Sequence, residues 1–202
     1  SYVCANYFFS YQKVTKLKRL LDLIVCFTLI IILFLPIIII CFIIKIDTKG
    51  PITNVSIRVG KNKRMFKMFK FRTMIINTPI IHSNDLKNPN QFITKTGKVL
   101  RKYSLDEIPQ IINILKGEMS FVGPRPALEN QYDLIKKRDQ FNLHDIKPGL
   151  TGLAQINGRD NISMEKKVEL DEYYKNNQSF LLDIKIIIKT ILVVLFSEDI
   201  KH

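Results

Sequence analysis

The longest hydrophobic segment of the chain covers residues 23–44, which are uncharged and mostly aliphatic. As a helix this segment is about 33 Å long, which is enough to cross a hydrocarbon core of about 30 Å. The pattern therefore predicts a membrane helix. Pro36 lies inside the segment and is expected to bend the helix, because proline removes one backbone hydrogen bond and frees a carbonyl group.

Both flanks of this hydrophobic segment are basic. Lysines and an arginine cluster at 13–19, and Lys45 and Lys49 begin a second cation-rich region. Positive residues favour the cytoplasmic side of a membrane, so basic flanks at both ends fit a helix that enters, bends at Pro36 and returns to the same face. A kinked helix that spans the bilayer is the alternative, and the residues alone leave the two open.

The remaining pattern predicts an α+β fold that is predominantly helical. Val55, Ile57 and Val59 alternate with polar residues and a turn follows at 60–63, which predicts a β-hairpin over 52–74. The other predicted elements are a loop at 75–96, helices at 97–103, about 105–116, 127–145 and about 164–175, tight turns around a short strand at 148–159, and an apolar helix at 184–196. That last helix is too short and too charged to span, and either packs in the core or lies in the membrane interface.

The composition indicates an anionic partner. The 202 residues include 31 Lys and Arg against 18 Asp and Glu, a formal charge of +13. Nucleic acid, acidic lipids and phosphorylated substrates all satisfy this charge. The 3 cysteines form no CxxC motif and suit a reducing cytoplasm, and the 3 histidines form no ligand motif, so any metal is expected to bind carboxylates.

The acidic pair Asp106 and Glu107 lies where an amphipathic helix is predicted to begin. Either Ser104 is the N-cap and Glu107 completes a capping box, or Asp106 is the N-cap and Pro109 falls in the first turn. In both cases free N–H groups and the positive end of the helix dipole face the acids, which favours phosphate binding. Capping alone also explains an isolated acidic pair, so its role depends on the rest of the chain.

Several cations are candidates for binding phosphate near this acidic pair. Lys70 and Arg72 fall on one face of the predicted return strand, where two cations can grip a diphosphate. Arg125 lies between two prolines, whose rigid backbone lowers the entropy cost of holding a phosphate against its planar guanidinium. Arg101, in the predicted 97–103 helix, points toward Asp106. The alternative for Lys70 and Arg72 is a solvated basic face, and the alternative for Arg125 is a structural turn with an exposed arginine.

Four motifs occur in the order seen in bacterial sugar transferases. They are Lys70–Met74, Ser104–Gln110, Gly123–Pro126 and Pro148–Arg159. The chain resembles the small monotopic phosphoglycosyl transferases from about Lys16 to Val194. Leu35 and Pro36 look like the helix-breaking pair of that family, whereas Leu153 stands where the family commonly has Trp.

The resemblance implies transfer of a phospho-sugar from a UDP-sugar to undecaprenyl phosphate, with release of UMP, Mg²⁺ as cofactor and a covalent aspartyl intermediate. It implies Asp106 as the nucleophile and Glu107 as its partner acid. Phosphate or substrate contacts are implied for Arg125, Lys70, Arg72, Arg101, Gln155 and Arg159, and metal contacts for Asp106, Glu107, Asp183 and Asp171. The expected donor sugar is an N-acetylated hexose, such as diacetylated bacillosamine.

The resemblance also implies how the single domain meets the membrane. It predicts a basic N-terminal segment at 1–19, a re-entrant membrane helix hairpin at 20–46 and a cytoplasmic catalytic domain with interfacial helices at 47–202. The expected site is the cytoplasmic face of the bacterial inner membrane, in contact with its lipids. The alternatives are an inactive scaffold homologue and a membrane-tethered nucleic-acid-binding module. The latter is disfavoured because the cations are scattered among acids, without a recognition helix or stacking aromatics, so no nucleic-acid partner is predicted.

Overall fold

The structure is a computed structural model that describes residues 2–76, 78, 89–158 and 161–196, with side chains from Thr15 onwards except at 89 and 90. It is α+β and predominantly helical, as predicted. The helices are α1 (Tyr2–Asp47), α2 (Lys95–Lys102), α3 (Ile111–Lys116), α4 (Tyr132–Gln140), α5 (Leu153–Ile156), α6 (Met164–Asn176) and α7 (Phe180–Phe196). The strands are β1 (Thr53–Val59), β2 (Met65–Phe71), β3 (Ser120–Val122) and β4 (Gly149–Thr151).

Helix α1 includes the predicted basic segment from Tyr2 onwards and the whole predicted membrane segment 20–46. By length and composition, its part from Thr15 to Asp47 can cross a membrane, with a mean hydropathy of 3.4 in its most apolar window. The backbone stays helical on both sides of Pro36, so one helix occupies the place of the predicted two-armed hairpin. A proline inside a helix removes its own N–H bond without necessarily ending the helix.

One side of α1 packs on the rest of the protein along most of the apolar segment. Cys26 is fully buried in the main core, and Ile40 and Ile44 are buried in a second cluster with Phe71 and Leu100. The opposite side is exposed and apolar, and includes Ile24, Phe27, Ile31, Ile32, Phe34, Leu35, Ile38, Ile39, Phe42, Ile43 and Ile46. Such a wide apolar surface marks a site for membrane or protein contact.

The two ends of this segment are both fastened to the folded domain. At the first end, the ammonium group of Lys18 lies 2.5 Å from a carboxylate oxygen of Asp183 and donates to the Tyr174 hydroxyl at 2.9 Å. At the second end, the Asp47 carboxylate accepts a hydrogen bond of 3.0 Å from the backbone N–H of Thr96. The domain therefore holds α1 on both sides of its apolar stretch.

Strands β1 and β2 form the predicted hairpin. They pair antiparallel, and the second strand ends at Phe71 rather than at the predicted Met74. Arg58 lies opposite Phe66, and Asn54 lies opposite Lys70. Paired residues share a face of the sheet, so Arg58 and Lys70 point to the same side as the buried Phe66. The hairpin thus directs two cations toward the interior.

Strands β3 and β4 pair in parallel, through Ser120 with Gly149 and Val122 with Thr151. The short strand predicted within 148–159 is thereby confirmed. A Cβ atom on Gly149 would lie only 2.1 Å from the backbone nitrogen of Gly123, so only glycine permits this approach of the two backbones. The pairing brings the Gly123–Pro126 segment beside α5.

Helix α7 packs in the core, which was one of its two predicted alternatives, and leaves an apolar face exposed. Ile186 is fully buried in the main core, together with Ile114 and Met119. Ile188 and Leu195, in contrast, are largely exposed. One face of α7 is thus a core face, and its other face adds to the exposed apolar surface of α1.

Candidate active site

The acidic pair lies in a tight 3-10 helix at Leu105–Gln110, directly before α3. Ser104 precedes this turn in a left-handed conformation, with φ of 53°, and its side chain does not cap the helix. Asp106 lies inside the turn rather than at its N-cap. Ser104 thus holds the N-cap position that one alternative predicted, but without a side-chain cap, and the Asp106 alternative is wrong. The reason is that a 3-10 turn, which accommodates Pro109, precedes the α-helix.

Glu107 is held by two cations from different parts of the chain. Its Oε1 atom lies 2.7 Å from the Nζ atom of Lys70 and 3.1 Å from the Nη2 atom of Arg125. Burial alone would raise the pKa of Glu107, but the charges and hydrogen bonds of Lys70 and Arg125 outweigh it and lower the pKa. Glu107 therefore stays ionised and orients both cations.

Asp106 lies in a different electrostatic environment from its neighbour. Its Oδ2 atom is 3.9 Å from the Lys70 ammonium, and the charge of Arg101 also acts on it. Burial raises the pKa of Asp106, and the adjacent charge of Glu107 adds to this effect, while Lys70 and Arg101 oppose it. Within the described chain the Asp106 carboxylate accepts no hydrogen bond, so its oxygens are available to a ligand.

Two of the predicted cations have separate roles in the structure. Arg101 donates from Nε to the hydroxyl of Thr73 at 2.9 Å, which holds it beside Asp106. Arg72 donates instead to the backbone oxygens of Thr48 at 2.7 Å and Lys49 at 3.1 Å. Because β2 ends at Phe71, Arg72 no longer follows the alternation of the strand, and it anchors the chain at the end of α1.

The predicted metal ligands Asp171 and Asp183 have cationic partners of their own. Asp171 pairs with Arg138 at 2.6 Å, and Asp183 pairs with Lys18 at 2.5 Å. No cluster of three or more Asp, Glu, His or Cys side chains suited to a metal occurs in the described ranges. The structure thus does not group these two acids with Asp106 and Glu107, since each one neutralises a buried or half-buried cation elsewhere.

A cavity of about 550 Å³ adjoins the acidic pair. Glu107 and Arg125 line it, whereas Asp106 is not one of the residues in its wall. Gln155 also lines the cavity, and its buried Oε1 atom has no hydrogen-bond partner within the described part of the chain. The substrate contact implied for Gln155 stays a prediction, and Arg159 lies outside the described residues.

Two arginines that the sequence analysis did not single out also belong to this site. Arg58 lines the cavity and acts electrostatically on both Arg125 and Glu107. Arg138 donates to the backbone oxygen of Arg125 at 2.9 Å. The sequence signal that could have identified Arg58 is its position beside Val59 in the alternating strand. No local sequence pattern distinguishes Arg138.

Comparison with known proteins identifies the family of this chain. The family described as "Bacterial sugar transferase" matches residues 12–197. The chain belongs to this family. It is therefore a transferase of the kind that the motifs around Asp106 and Arg125 implied, and the resemblance is confirmed.

Three relatives illustrate the range of the family. An uncharacterized sugar transferase, EpsL of Bacillus subtilis, is 43% identical over 192 residues, covering 92% of this chain and 91% of the relative. A UDP-glucose:undecaprenyl-phosphate glucose-1-phosphate transferase of Klebsiella pneumoniae is 41% identical, over 86% of this chain and 39% of the relative. A UDP-N-acetylgalactosamine-undecaprenyl-phosphate N-acetylgalactosaminephosphotransferase of Aeromonas hydrophila is 37% identical, over 75% and 37%.

Proposed function

We propose that this protein transfers a phospho-sugar from a UDP-sugar to undecaprenyl phosphate, releasing UMP, through a covalent intermediate on Asp106. The observation that carries the proposal is the Asp106 carboxylate, which accepts no hydrogen bond in the described chain and is flanked by Lys70 and Arg101. The names of the relatives from Klebsiella pneumoniae and Aeromonas hydrophila support both substrate classes.

In the first step an oxygen of Asp106 attacks the phosphorus that carries the sugar. The bond from this phosphorus to the UMP oxygen breaks, and UMP leaves with the electron pair. The cations Lys70, Arg101 and Arg125 surround the two acids and offset the negative charge that develops on the phosphoryl oxygens. Ionised Glu107 keeps Lys70 and Arg125 in place for this role.

In the second step a phosphate oxygen of the acceptor attacks the same phosphorus. The bond to Asp106 breaks, its carboxylate is regenerated, and the sugar is left on a lipid diphosphate. Both steps use one carboxylate as nucleophile and then as leaving group, so a single set of cations serves both transition states.

The carboxylates of the site fit a Mg²⁺ ion that the substrate helps to bind. Both ion pairs of Glu107 use Oε1, so Oε2 and the Asp106 carboxylate are available within the described chain. Mg²⁺ is commonly held by one or two carboxylates together with substrate phosphates, and it then neutralises phosphate charge. Asp106 and Glu107 are sufficient for this, without Asp171 or Asp183.

We further propose that α1 is re-entrant and that both of its ends lie at the cytoplasmic face of the bacterial inner membrane. Lys18 and Asp47 are about 44 Å apart along a straight helix, more than a hydrocarbon core of about 30 Å. Both nevertheless bond to the same folded domain. A helix that spanned the bilayer would have to place its two ends, and the parts of the domain attached to them, on opposite sides.

Release of UMP from a panel of UDP-sugars tests the proposed reaction. We expect turnover that requires Mg²⁺ and undecaprenyl phosphate, with an N-acetylated hexose as the preferred donor. Asp106→Asn should abolish turnover and the labelled protein-bound phospho-sugar that forms without acceptor, whereas Asp133→Asn, an exposed control, should preserve both. Full turnover by Asp106→Asn would exclude the covalent mechanism, and an inactive wild-type chain would favour the scaffold alternative.

Cysteine accessibility tests the orientation of α1. Single cysteines at Lys16 and Lys49, in a variant whose native cysteines are replaced by serine, are treated with a membrane-impermeant thiol reagent. We expect no labelling in intact cells and labelling at both positions after permeabilisation. Labelling of one position only in intact cells would show that α1 spans the membrane.

A further inference from the structure

The cavity beside Glu107 has a charged end and an apolar body. The charged residues of the lining, which define the charged end, are Glu107, Arg125, Arg58, Arg138 and Lys167. The apolar body includes Leu29 and Leu33 from α1 and Ile187, Ile191 and Val194 from α7, together with apolar residues of other segments such as Ile111 and Leu150. A ligand that matches both parts needs an anionic group joined directly to a hydrocarbon chain.

Arg58 provides positive charge at the charged end that the described chain does not neutralise. It donates to the hydroxyl of Ser56 at 3.2 Å and to the backbone oxygen of Pro126 at 3.3 Å, and no carboxylate of the described residues lies within ion-pair distance. Burial, together with the nearby charge of Arg125, lowers the pKa of Arg58 to about 10. An anionic ligand would relieve this unfavourable burial of charge.

Part of the apolar body belongs to α1 and α7, the two helices that carry the exposed apolar surface. Ile191 lines the cavity while 53% exposed, so the cavity and the outer surface of α7 meet at this residue. A lipid could therefore pass at Ile191 from the apolar surface into the cavity without crossing the polar part of the protein. Gln155, which is only 7% exposed, adds an unpartnered oxygen to the same cavity.

We propose that this cavity is the binding site for the acceptor, a prenyl phosphate, with Arg58 and Arg125 on its phosphate and the α1 and α7 walls around its first isoprene units. The inference rests on the proposed function and assigns its acceptor a site. A UDP-sugar is polar along its whole length and does not complement the apolar body. A diacyl phospholipid shares the anion-plus-hydrocarbon chemistry, and the test below separates it from a prenyl phosphate.

The test uses a matched pair of substitutions on α7. Ile191→Trp fills the cavity, whereas Ile188→Trp places the same side chain at a site of similar exposure, 52%, that is not part of the cavity wall. We expect Ile191→Trp to raise the KM for a prenyl phosphate about tenfold, with the KM for the UDP-sugar unchanged, because it displaces buried hydrocarbon. Equal acceptor KM values in the two variants would overturn the proposal.

Thermal unfolding of the detergent-solubilised chain reports binding without turnover. A ligand that binds the native state raises its Tm, so we expect a prenyl phosphate to stabilise the wild type and Ile188→Trp but not Ile191→Trp. Inorganic phosphate, the uncharged prenol and phosphatidylglycerol should each give a smaller shift. An equal or larger shift with phosphatidylglycerol would assign the cavity to a phospholipid and overturn the proposal. A prenyl phosphate shift without any transfer activity would contradict the proposed function alone.

Arg58 is tested in the same two assays. Arg58→Gln should remove most of the Tm difference between prenyl phosphate and prenol and should raise the acceptor KM. Arg64→Gln, at an exposed cation of the same hairpin, should leave both unchanged. Equal behaviour of Arg58→Gln and Arg64→Gln would show that Arg58 does not bind the acceptor phosphate.

Discussion

Arg138 donates a hydrogen bond of 2.9 Å from its Nη1 atom to the backbone oxygen of Arg125. The other donors of the same guanidinium contact Asp171, from Nε at 3.1 Å and from Nη2 at 2.6 Å. Both side chains are almost fully buried. The backbone of Arg125, whose side chain contacts Glu107, is thus fixed by the buried Arg138–Asp171 ion pair as well as by its two flanking prolines.

This arrangement predicts that substitutions at Arg138 and Asp171 affect stability and transfer activity differently. Arg138→Met should cost about 3–5 kcal/mol of unfolding free energy, because it leaves Asp171 charged and buried without a partner. The double variant Arg138→Met/Asp171→Leu should regain most of this stability, since an apolar pair can replace a buried ion pair. Its transfer activity should remain low, because the Arg125 carbonyl has lost its donor. Thermal unfolding and UMP release measure the two effects.

The neighbouring Lys137 supplies the control for this prediction. It pairs with Glu165 at the surface, so Lys137→Met should change stability by at most about 1 kcal/mol and leave activity intact. Full activity in the stable double variant would show that Arg138 does not position Arg125. A changed Mg²⁺ requirement in Asp171→Asn would instead support the earlier prediction that Asp171 binds the metal.

Lys70 is predicted to be the cation on which both acids depend most. It contacts Glu107 at 2.7 Å and Asp106 at 3.9 Å, so Lys70→Met should lower kcat about 10²-fold through loss of charge stabilisation. Lys67 lies on the opposite face of the same strand and is exposed, so Lys67→Met should leave kcat unchanged. Steady-state UMP release distinguishes them, and equal activity of both variants would remove Lys70 from the mechanism.

The parts of the site that could be predicted from sequence are those that a local pattern determines. Alternation of Val55, Ile57 and Val59 was enough for the hairpin, and two prolines were enough to identify Arg125 as a rigid candidate. Which acid meets which cation depends instead on the tertiary packing. Arg138 and Asp171 are 33 positions apart, and each belongs to a helix whose local pattern says nothing about the other.

The same reasoning explains the wrong capping prediction at the acidic turn and the unpredicted contacts of Arg72. Helix periodicity identified the segment after Ser104, but it gives no sign of the left-handed conformation of Ser104 or of the 3-10 turn, which packs against β2. Arg72 was placed by extending the alternation of β2, whereas its guanidinium caps backbone oxygens at the end of α1. Family resemblance supplied the proposed reacting residues, Asp106 and Glu107, but not the partners that contact them.

His144 predicts a pH dependence of stability. Burial lowers its pKa below the usual value, with contributions from Arg138 and Lys63, while a hydrogen bond with the backbone of Ile135 and the charge of Asp139 oppose the shift. The folded state therefore binds the proton less readily than the unfolded state, and stability is lost as pH falls below about 6.5. We expect the Tm of the wild type to fall more steeply between about pH 7.5 and about pH 5.5 than that of His144→Gln. Identical slopes in the two proteins would contradict this.

Thr73 is predicted to act on catalysis through Arg101. Its hydroxyl accepts the 2.9 Å hydrogen bond from Arg101 Nε, and its backbone oxygen accepts from the N–H of Thr94 at 3.0 Å. A Cβ atom on Gly97 would lie 2.1 Å from that backbone oxygen, so α2 packs directly on Thr73. The position of Arg101 beside Asp106 is therefore set by Thr73 from two directions.

Two substitutions at Thr73 distinguish the effect of its hydroxyl group from the effect of its side-chain volume. Thr73→Val keeps the volume but removes the acceptor, and a hydrogen bond to a charged group contributes about 1.5–3 kcal/mol, so kcat should fall roughly tenfold to a hundredfold. Thr73→Ser keeps the hydroxyl and should retain most of the activity, with a small loss of stability from the missing methyl group. If both variants lose activity equally, packing rather than the hydrogen bond positions Arg101. If Thr73→Val is fully active, Arg101 does not depend on Thr73.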